Sequence, residues 1–276
     1  MLKKNFILQT RGLPPGWYPH DCEETRAFIQ ACPQPKERQA QACVVPHAGW
    51  FFSGELAWEG IASLASAQTV VILGGHLPPA GSLMFYDCDA FETPLGNVET
   101  DRDFLKNLSA SLPCRPDGSR DNTVEVQLPF VKYAFPNAKV AGLRVPPSEI
   151  AVELGRFLAG LQKARGENAL VVIASTDLTH YGPNYEFTPR GTGPAAVKWA
   201  REENDMPFLD ALLRMDHKEV LRRGSEDHAA CSAGAAAAAA VCAAELGLKG
   251  RLEHYANSLE KHASSSFVGY GVVSFS

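Results

Sequence analysis

The sequence predicts a single α/β domain, residues 1–276, with a mixed, largely parallel central sheet flanked by helices. Short apolar runs alternate with longer helical segments along the chain, which is the pattern of strands connected by helices. The strand candidates are apolar throughout, as expected where helices cover both faces of a parallel sheet. A chain of 276 residues with no shift in composition is consistent with one large domain.

The predicted elements follow from these runs and from the turn residues between them. Helices are predicted over residues 21–31, 54–65, 101–111, 122–134, 148–164 and 194–215, with a further helix beginning near Asp227. Strands are predicted over residues 42–45, 69–73, 82–88, 138–145, 170–174, 251–257 and 267–275. We expect Pro129 to interrupt the fourth helix, because proline lacks an amide donor and its ring clashes with the preceding turn.

The composition argues against several classes of partner. A net charge of −5 and a sequence pI near 5.9 give no reason to expect nucleic acid or an anionic membrane as a partner. The chain has seven cysteines, none of which form a CxxC pair, and an odd number is not typical of a disulfide framework. The longest apolar stretch, residues 231–244, is too short for a membrane span, and the first apolar run is too short for a signal peptide. We therefore expect a cytoplasmic protein.

Three of the predicted buried strands end in turns that carry a histidine. His47, His76 and His180 each follow such a strand, in a turn rich in glycine or serine, and Asp177 precedes His180 in the same turn. Ligands of open α/β sheets bind beyond the carboxyl ends of the strands. The sequence therefore predicts that these four side chains converge on one edge of the sheet, where imidazole and carboxylate groups suit metal binding or proton transfer.

Each candidate also has a simpler structural interpretation. His47 or His76 alone could cap its strand by bonding a carbonyl, and Asp177 could cap a turn. Cys231 lies near the predicted start of an alanine-rich helix, where the helix N-terminus would favour a thiolate, although a buried cysteine is more often a small hydrophobic residue. His228 precedes it closely and is either a reserve ligand or a surface residue.

Two further polar residues are candidates for the same pocket. Glu125 and Gln127 lie in a predicted helix and could project toward the site, although such residues are more often solvated or paired with a charge. The chain contains neither a GxxxxGK[ST] phosphate loop nor a GxSxG nucleophile turn, so neither nucleotide binding nor an α/β-hydrolase site is expected.

Six segments of the sequence carry a family resemblance. They are PHAGWFFSG (46–54), ETPLGNVETD (92–101), NTVEVQLPF (122–130), STDLTHYG (175–182), CSAG (231–234), and YANS with VGYG (255–258 and 268–271). In this order they resemble the MEMO family, whose bacterial members are also called AmmeMemoRadiSam system protein B. The resemblance extends from about residue 11 to the C-terminus and identifies the chain as one MEMO-like domain.

The resemblance implies a fold similar to that of class III extradiol dioxygenases, which bind non-haem Fe(II) through two histidines and a glutamate. In the MEMO family a cysteine replaces this glutamate, and the three ligands correspond to His47, His76 and Cys231. Asp177 and His180 correspond to further pocket residues, which we expect to hold or move protons. Asn122 stands where the family often has histidine, so this chain lacks one candidate pocket base.

Chemistry and resemblance together predict one transition-metal ion, iron or copper rather than zinc, bound by two imidazoles and a thiolate. We hypothesise a redox or dioxygenase-like enzyme of unknown substrate. We do not expect extradiol cleavage itself, because a thiolate donates more charge to the metal than a carboxylate does and is itself oxidisable. Two alternatives stay open. One is a non-catalytic module that binds a small molecule or peptide, in a pathway with the radical SAM and AMMECR-type proteins that accompany bacterial relatives. The other is a hydrolase with Cys231 as its nucleophile.

Overall fold

The structure is a computed structural model that describes residues 6–119, 121–166 and 168–276. Its strands are β1 (Leu8–Gln9), β2 (Ala42–Val45), β3 (Thr69–Gly74), β4 (Leu83–Tyr86), β5 (Ala90–Phe91), β6 (Val98–Glu99), β7 (Cys114–Asp117), β8 (Lys139–Arg144), β9 (Leu170–Ser175), β10 (His180–Tyr181), β11 (Gly250–Asn257) and β12 (Phe267–Phe275). Its α-helices are α1 (Cys22–Ala31), α2 (Trp50–Ala62), α3 (Arg102–Ser111), α4 (Asn122–Glu125), α5 (Leu128–Ala134), α6 (Glu149–Arg165), α7 (Pro194–Trp199), α8 (Met206–Leu213), α9 (His217–Glu226) and α10 (Ala233–Glu245). A π-helical segment, Ala200–Asp205, joins α7 to α8.

The central sheet places four parallel strands side by side. Within the described residues its strands follow the order β10-β12-β2-β9-β3-β8-β4-β7, and β11 pairs with β12. Neighbours among β2, β9, β3 and β8 are parallel, whereas β12 pairs antiparallel with β2, and β4 pairs antiparallel with β8. The predicted mixed, largely parallel sheet is confirmed, with antiparallel strands added on both sides.

Helices cover both faces of this sheet, so successive residues of a strand enter different hydrophobic layers. Val44 of β2 packs in the layer of α6 and α10, and Val45 packs in the layer of α2 and α5. The alanine-rich α10 lies close to α6: a Cβ added at Gly155 would be 2.6 Å from the carbonyl oxygen of Ala238. Among the described residues, no helix combines the length and the apolar character that a membrane span requires.

Most predicted elements are confirmed, and two of the differences have local causes. Helix α2 begins earlier than predicted, at Trp50, because the extended Gly49 caps it directly after the turn that carries His47. The helix predicted over residues 122–134 is divided into α4 and α5 before the proline, so Pro129 lies in the first turn of α5. A missing amide costs no helical bond at that position.

The helix predicted to begin near Asp227 is wrong. Helix α9, which the sequence pattern did not reveal, ends there instead, with Asp227 as its C-terminal cap. His228 then takes a left-handed φ of 52°, which stops the helix, and α10 begins only at Ala233. Cys231 therefore lies in the short connection before α10 rather than inside a helix.

Candidate metal centre

The carboxyl ends of β2, β9 and β3 form the floor of the candidate site. These strands are adjacent and parallel, so the residues that follow them emerge at one edge of the sheet. His47 follows β2, Asp177 follows β9, and His76 follows β3. The structure brings them together: the ring centroids of His47 and His76 lie 5.1 Å apart, with the rings nearly perpendicular.

Cys231 reaches the same point from the connection before α10. Its Sγ lies 3.2 Å from Nε2 of His47. The amide of Cys231 donates a hydrogen bond to the carbonyl oxygen of Asp177, and the amide of Ser232 donates to the hydroxyl of Thr176. These two bonds attach the connection to the loop after β9 and fix the thiol beside His47.

His76 is exposed but oriented by a buried carboxylate. Its Nδ1 lies 3.3 Å from Oδ2 of Asp121, and Nη2 of Arg144 contacts the same oxygen at 3.3 Å. Thr123 donates to the other oxygen through its amide and its hydroxyl. With Nδ1 engaged, Nε2 of His76 is the nitrogen left for a metal, and histidine ligands commonly have such a carboxylate partner.

Asp177 links His47 to His180. Its Oδ1 accepts a 2.7 Å hydrogen bond from the amide of His47, and its Oδ2 lies 3.8 Å from Nε2 of His47. The same oxygen lies 3.7 Å from Nε2 of His180, whose ring packs against Tyr185 with centroids 4.9 Å apart. Nε2 of His180 is buried and has no hydrogen-bond partner among the described residues.

The remaining contacts hold His47 from behind. Its Nδ1 lies 3.3 Å from the hydroxyl oxygen of Ser175, to which the side-chain amide of Gln127 donates at 3.1 Å. That amide also donates to the carbonyl oxygen of Pro46 at 2.8 Å, and the side chain of Asn122 donates to the carbonyl oxygen of His47 at 3.2 Å. Nδ1 is thus occupied, and Nε2 is directed toward Cys231.

The charges at the site stabilise one another. Burial raises the pKa of the Cys231 thiol, but the charge of His47 and contacts with the other histidines outweigh it and hold this pKa well below its usual value. The hydrogen bond to Asp121 raises the pKa of His76 to about 10. Burial lowers the pKa of His180, yet the adjacent Asp177 carboxylate dominates and raises it to about 10. The site therefore favours the thiolate, the form of cysteine that binds metals.

The prediction that Glu125 lies in this pocket requires correction. Its carboxylate accepts hydrogen bonds from the amide of Gly12 at 2.8 Å and from the hydroxyl of Tyr18 at 3.1 Å. Because α4 directs this side chain toward the segment before α1, Glu125 anchors the N-terminal part of the chain instead. His228, the reserve ligand, is exposed and lies outside the group of ligand atoms around Cys231.

Sequence reasoning missed the support around the ligands. Asp121 and Arg144 orient His76, and Thr176 holds the connection that carries Cys231. The only sequence signal for Asp121 is its place directly before a predicted helix, which is typical of an N-cap. Thr176 lies beside Asp177 in a turn that was already singled out, but no spacing rule relates it to residue 232.

Known proteins are similar to this sequence over almost its whole length. The family described as Memo-like protein matches residues 15–274. The chain belongs to the Memo-like protein family. A MEMO1 family protein of Methanococcoides burtonii is 33% identical to this Memo-like protein over 267 residues, which cover 93% of this chain and 96% of the relative. A MEMO1 family protein of Thermococcus onnurineus is 32% identical over 257 residues, with coverages of 87% and 88%. The resemblance inferred from the sequence is confirmed.

The fold of this Memo-like protein also recurs in a distant structure. The crystal structure of the uncharacterized protein JW3007 from Escherichia coli K12 matches it with a TM-score of 0.51 at 15% identity. The match covers 84% of this chain and 99% of that chain. At such low identity the likeness concerns the fold alone.

Three side chains of this Memo-like protein form a group that could hold a metal ion. The ligand atoms of His47, His76 and Cys231 all lie within 4.8 Å of one another. They come from three different parts of the chain, two strand ends and the connection before α10. Two imidazoles and one thiolate make a donor set suited to first-row transition metals.

Proposed function

We propose that this Memo-like protein binds one iron or copper ion through His47, His76 and Cys231 and carries out redox chemistry on a small molecule. The observation that supports the proposal is the clustering of three metal-ligating atoms within 4.8 Å, each with its own supporting contacts. Ligand side chains held by further hydrogen bonds are typical of metal centres, because the bonds fix the ring orientation.

The residues fit a metal ion in two respects. In a tetrahedral centre, ligand bonds of about 2.1 Å to nitrogen and 2.3 Å to sulfur place two ligand atoms about 3.5 Å apart. The ligand atoms lie within 4.8 Å of one another, so the group closes around an ion by a movement of up to about 1.3 Å, which the exposed His76 can make. The second respect is Nε2 of His180, which has the 3.7 Å ion pair with Asp177 but no shorter hydrogen bond, so a molecule bound beside Cys231 would supply one.

The donor set is compatible with a redox metal. Imidazole and thiolate suit copper, iron and zinc, and three protein ligands leave positions open for another molecule. When bound, iron or copper would supply Lewis acidity and electron transfer at those positions. Cys231 in place of a carboxylate makes the centre richer in electron density and oxidisable, so ring cleavage of the extradiol type is not part of the proposal.

The chain's own residues have separate tasks in this proposal. Asp177 fixes His47 through the backbone amide and holds His180 by the ion pair at 3.7 Å. His180 is then available to exchange a proton at Nε2 with a molecule bound next to the thiolate. Tyr185 packs on the ring of His180 and restricts its rotation.

One contact favours a second candidate, a cysteine hydrolase: Sγ of Cys231 lies 3.2 Å from Nε2 of His47, as in a nucleophile and its base. Two other contacts count against it. Nδ1 of His47 faces Ser175 rather than a carboxylate, and the amides of Cys231 and Ser232 are bonded to Asp177 and Thr176. These amides are then not free to stabilise an oxyanion.

Metal analysis tests the proposal. Protein purified without an affinity tag is analysed for iron, copper and zinc, beside the variants His47→Ala and Cys231→Ser. Matched controls are His254→Ala, an exposed histidine paired with Glu59, and Cys114→Ser, a partly exposed cysteine on β7. We expect about one ion per chain in the wild type and the controls, and at least about tenfold less in the two site variants.

The same metal content in all five proteins would refute the site assignment. A protein that binds no iron or copper, even when either ion is added anaerobically, would support the non-catalytic binding module. Loss of a hydrolytic activity on alkylation of Cys231, with metal content unchanged, would support the hydrolase.

A further inference from the structure

Two cavities meet at the candidate centre from different sides. The histidine-side cavity, of about 350 Å³, is lined by His47, His76 and Asp177 together with aromatic side chains such as Phe52 and Tyr270. It opens toward the N-terminus of α2 and the loop before β12, where the exposed Ser264 forms part of its wall. This cavity gives access to both imidazole ligands.

The second space, the cysteine-side cavity, has a volume of about 570 Å³. It is lined by Cys231, Ala230 and His228 from the connection between α9 and α10, and by Glu186 and Phe187. Cys231 is partly exposed, and this cavity is where its side chain meets open space. The thiol is therefore approached from a direction different from that of the histidines.

A pair of rings separates the two cavities. His180 and Tyr185 line both spaces and pack against each other with centroids 4.9 Å apart. Tyr185 ends a short 3-10 turn, and Glu186 after it has a left-handed φ of 53° that returns the chain toward β10. The partition therefore consists of these two side chains, and the local backbone holds Tyr185 in place.

We propose that the site takes up two molecules from opposite sides, and that the cysteine-side cavity is the route by which a small polar molecule reaches Cys231. The polar residues His228, Glu186 and Tyr185 line this route, so hydrogen-bonding molecules suit it better than apolar ones. A second ligand, limited to a volume of about 350 Å³, then occupies the histidine-side cavity. This inference deepens the proposed function, and the interpretation of the two cavities as the two ligand sites of one centre rests on that function.

Alkylation of Cys231 by iodoacetamide tests the route. The reaction joins the sulfur to the methylene carbon and expels iodide, so it reports access to the sulfur without any metal. The protein is first treated with a chelator, and the exposed Cys22 and partly exposed Cys114 are replaced by serine so that Cys231 is the accessible thiol. The rate is measured by mass spectrometry of the peptide that contains residue 231.

Three variants distinguish the two sides. Ala230→Phe places a ring in the cysteine-side cavity, His228→Gly widens its mouth at a position where a positive φ suits glycine, and Ser264→Trp blocks the histidine-side cavity. We expect Ala230→Phe to slow labelling about tenfold, His228→Gly to accelerate it about threefold, and Ser264→Trp to change it by less than about twofold.

Slower labelling in Ser264→Trp than in a folded Ala230→Phe protein would overturn the proposal. If Ala230→Phe does not fold, as judged by circular dichroism, the labelling rate of His228→Gly tests the route instead. A rate in His228→Gly equal to that of the parent protein would refute the route. These results do not depend on metal content. A chain that binds no metal would refute the proposed function and leave the route to be judged by labelling alone.

Discussion

Asp205 is a buried carboxyl group outside the candidate centre, and it should make the stability of the protein depend on pH. It ends the π-helical segment, and its Oδ1 accepts hydrogen bonds from the amide and the hydroxyl of Thr179. Its Oδ2 accepts a 2.8 Å bond from the hydroxyl of Tyr255. Gly269 leaves room for this oxygen, since a Cβ there would lie 2.3 Å away.

The sign of the effect follows from the shifted pKa. Burial outweighs the three donors and raises the pKa of Asp205 from 3.8 to about 6. The folded protein therefore binds this proton more tightly than the unfolded chain does. The resulting stabilisation is complete below about pH 4 and is lost as the pH rises through about 6. A change from 3.8 to about 6 corresponds to about 3 kcal/mol.

Urea denaturation of the chelator-treated protein between pH 4 and pH 8 measures this contribution. The variant Asp205→Asn keeps an acceptor for the Thr179 amide and does not ionise, so its stability relative to the wild type should rise by about 2.5 kcal/mol across that range. Asp210→Asn, at an exposed aspartate paired with Arg214, is the matched control and should show no such trend. A difference between wild type and Asp205→Asn that stays constant from pH 4 to pH 8 would refute the reasoning.

Two further predictions concern residues whose contacts were described above. Asp121→Asn should weaken metal binding about 10- to 100-fold in a competition titration, because the carboxylate orients His76. The control is Asp101→Asn, at a buried helix cap away from the site, which should leave the affinity unchanged. Equal affinities in both variants would contradict this. Glu125→Ala should lower the free energy of unfolding by about 1 to 3 kcal/mol, because the Gly12 amide loses its acceptor. The metal content should not change. A loss of metal in this variant would show that Glu125 belongs to the metal site.

The sequence was sufficient to predict the strands that build the site and the edge to which their ends point. Apolar runs marked β2, β3 and β9, and the rule for strand ends then brought His47, His76 and Asp177 together without knowledge of strand order. That order was not readable, because β9 inserts between β2 and β3, which are consecutive along the chain. Cys231 was one thiol among seven, and only the family resemblance selected it.

Errors arose where a local signal had two meanings. Asp227 before an apolar run is typical of a helix start, but its carboxylate instead pairs with Arg222 and Arg223 of the helix that it ends. The alanine run that follows has no apolar stripe, so periodicity could not correct the boundary. The prediction for Glu125 was wrong for a different reason. The direction of a side chain on a one-turn helix depends on what packs against it, which here is the segment around Gly12.

The π-helical segment Ala200–Asp205 gives this part of the chain an unusual sensitivity to length. A π turn holds one residue more than an α turn, and each residue of a helix rotates the chain by about 100°. Deleting a single residue here would restore a regular helix and turn Asp205 away from Thr179. The loop that carries His180 would then lose the hydrogen bonds that anchor it. Among relatives, the residue count between α7 and α8 should therefore vary less than the residue types within it.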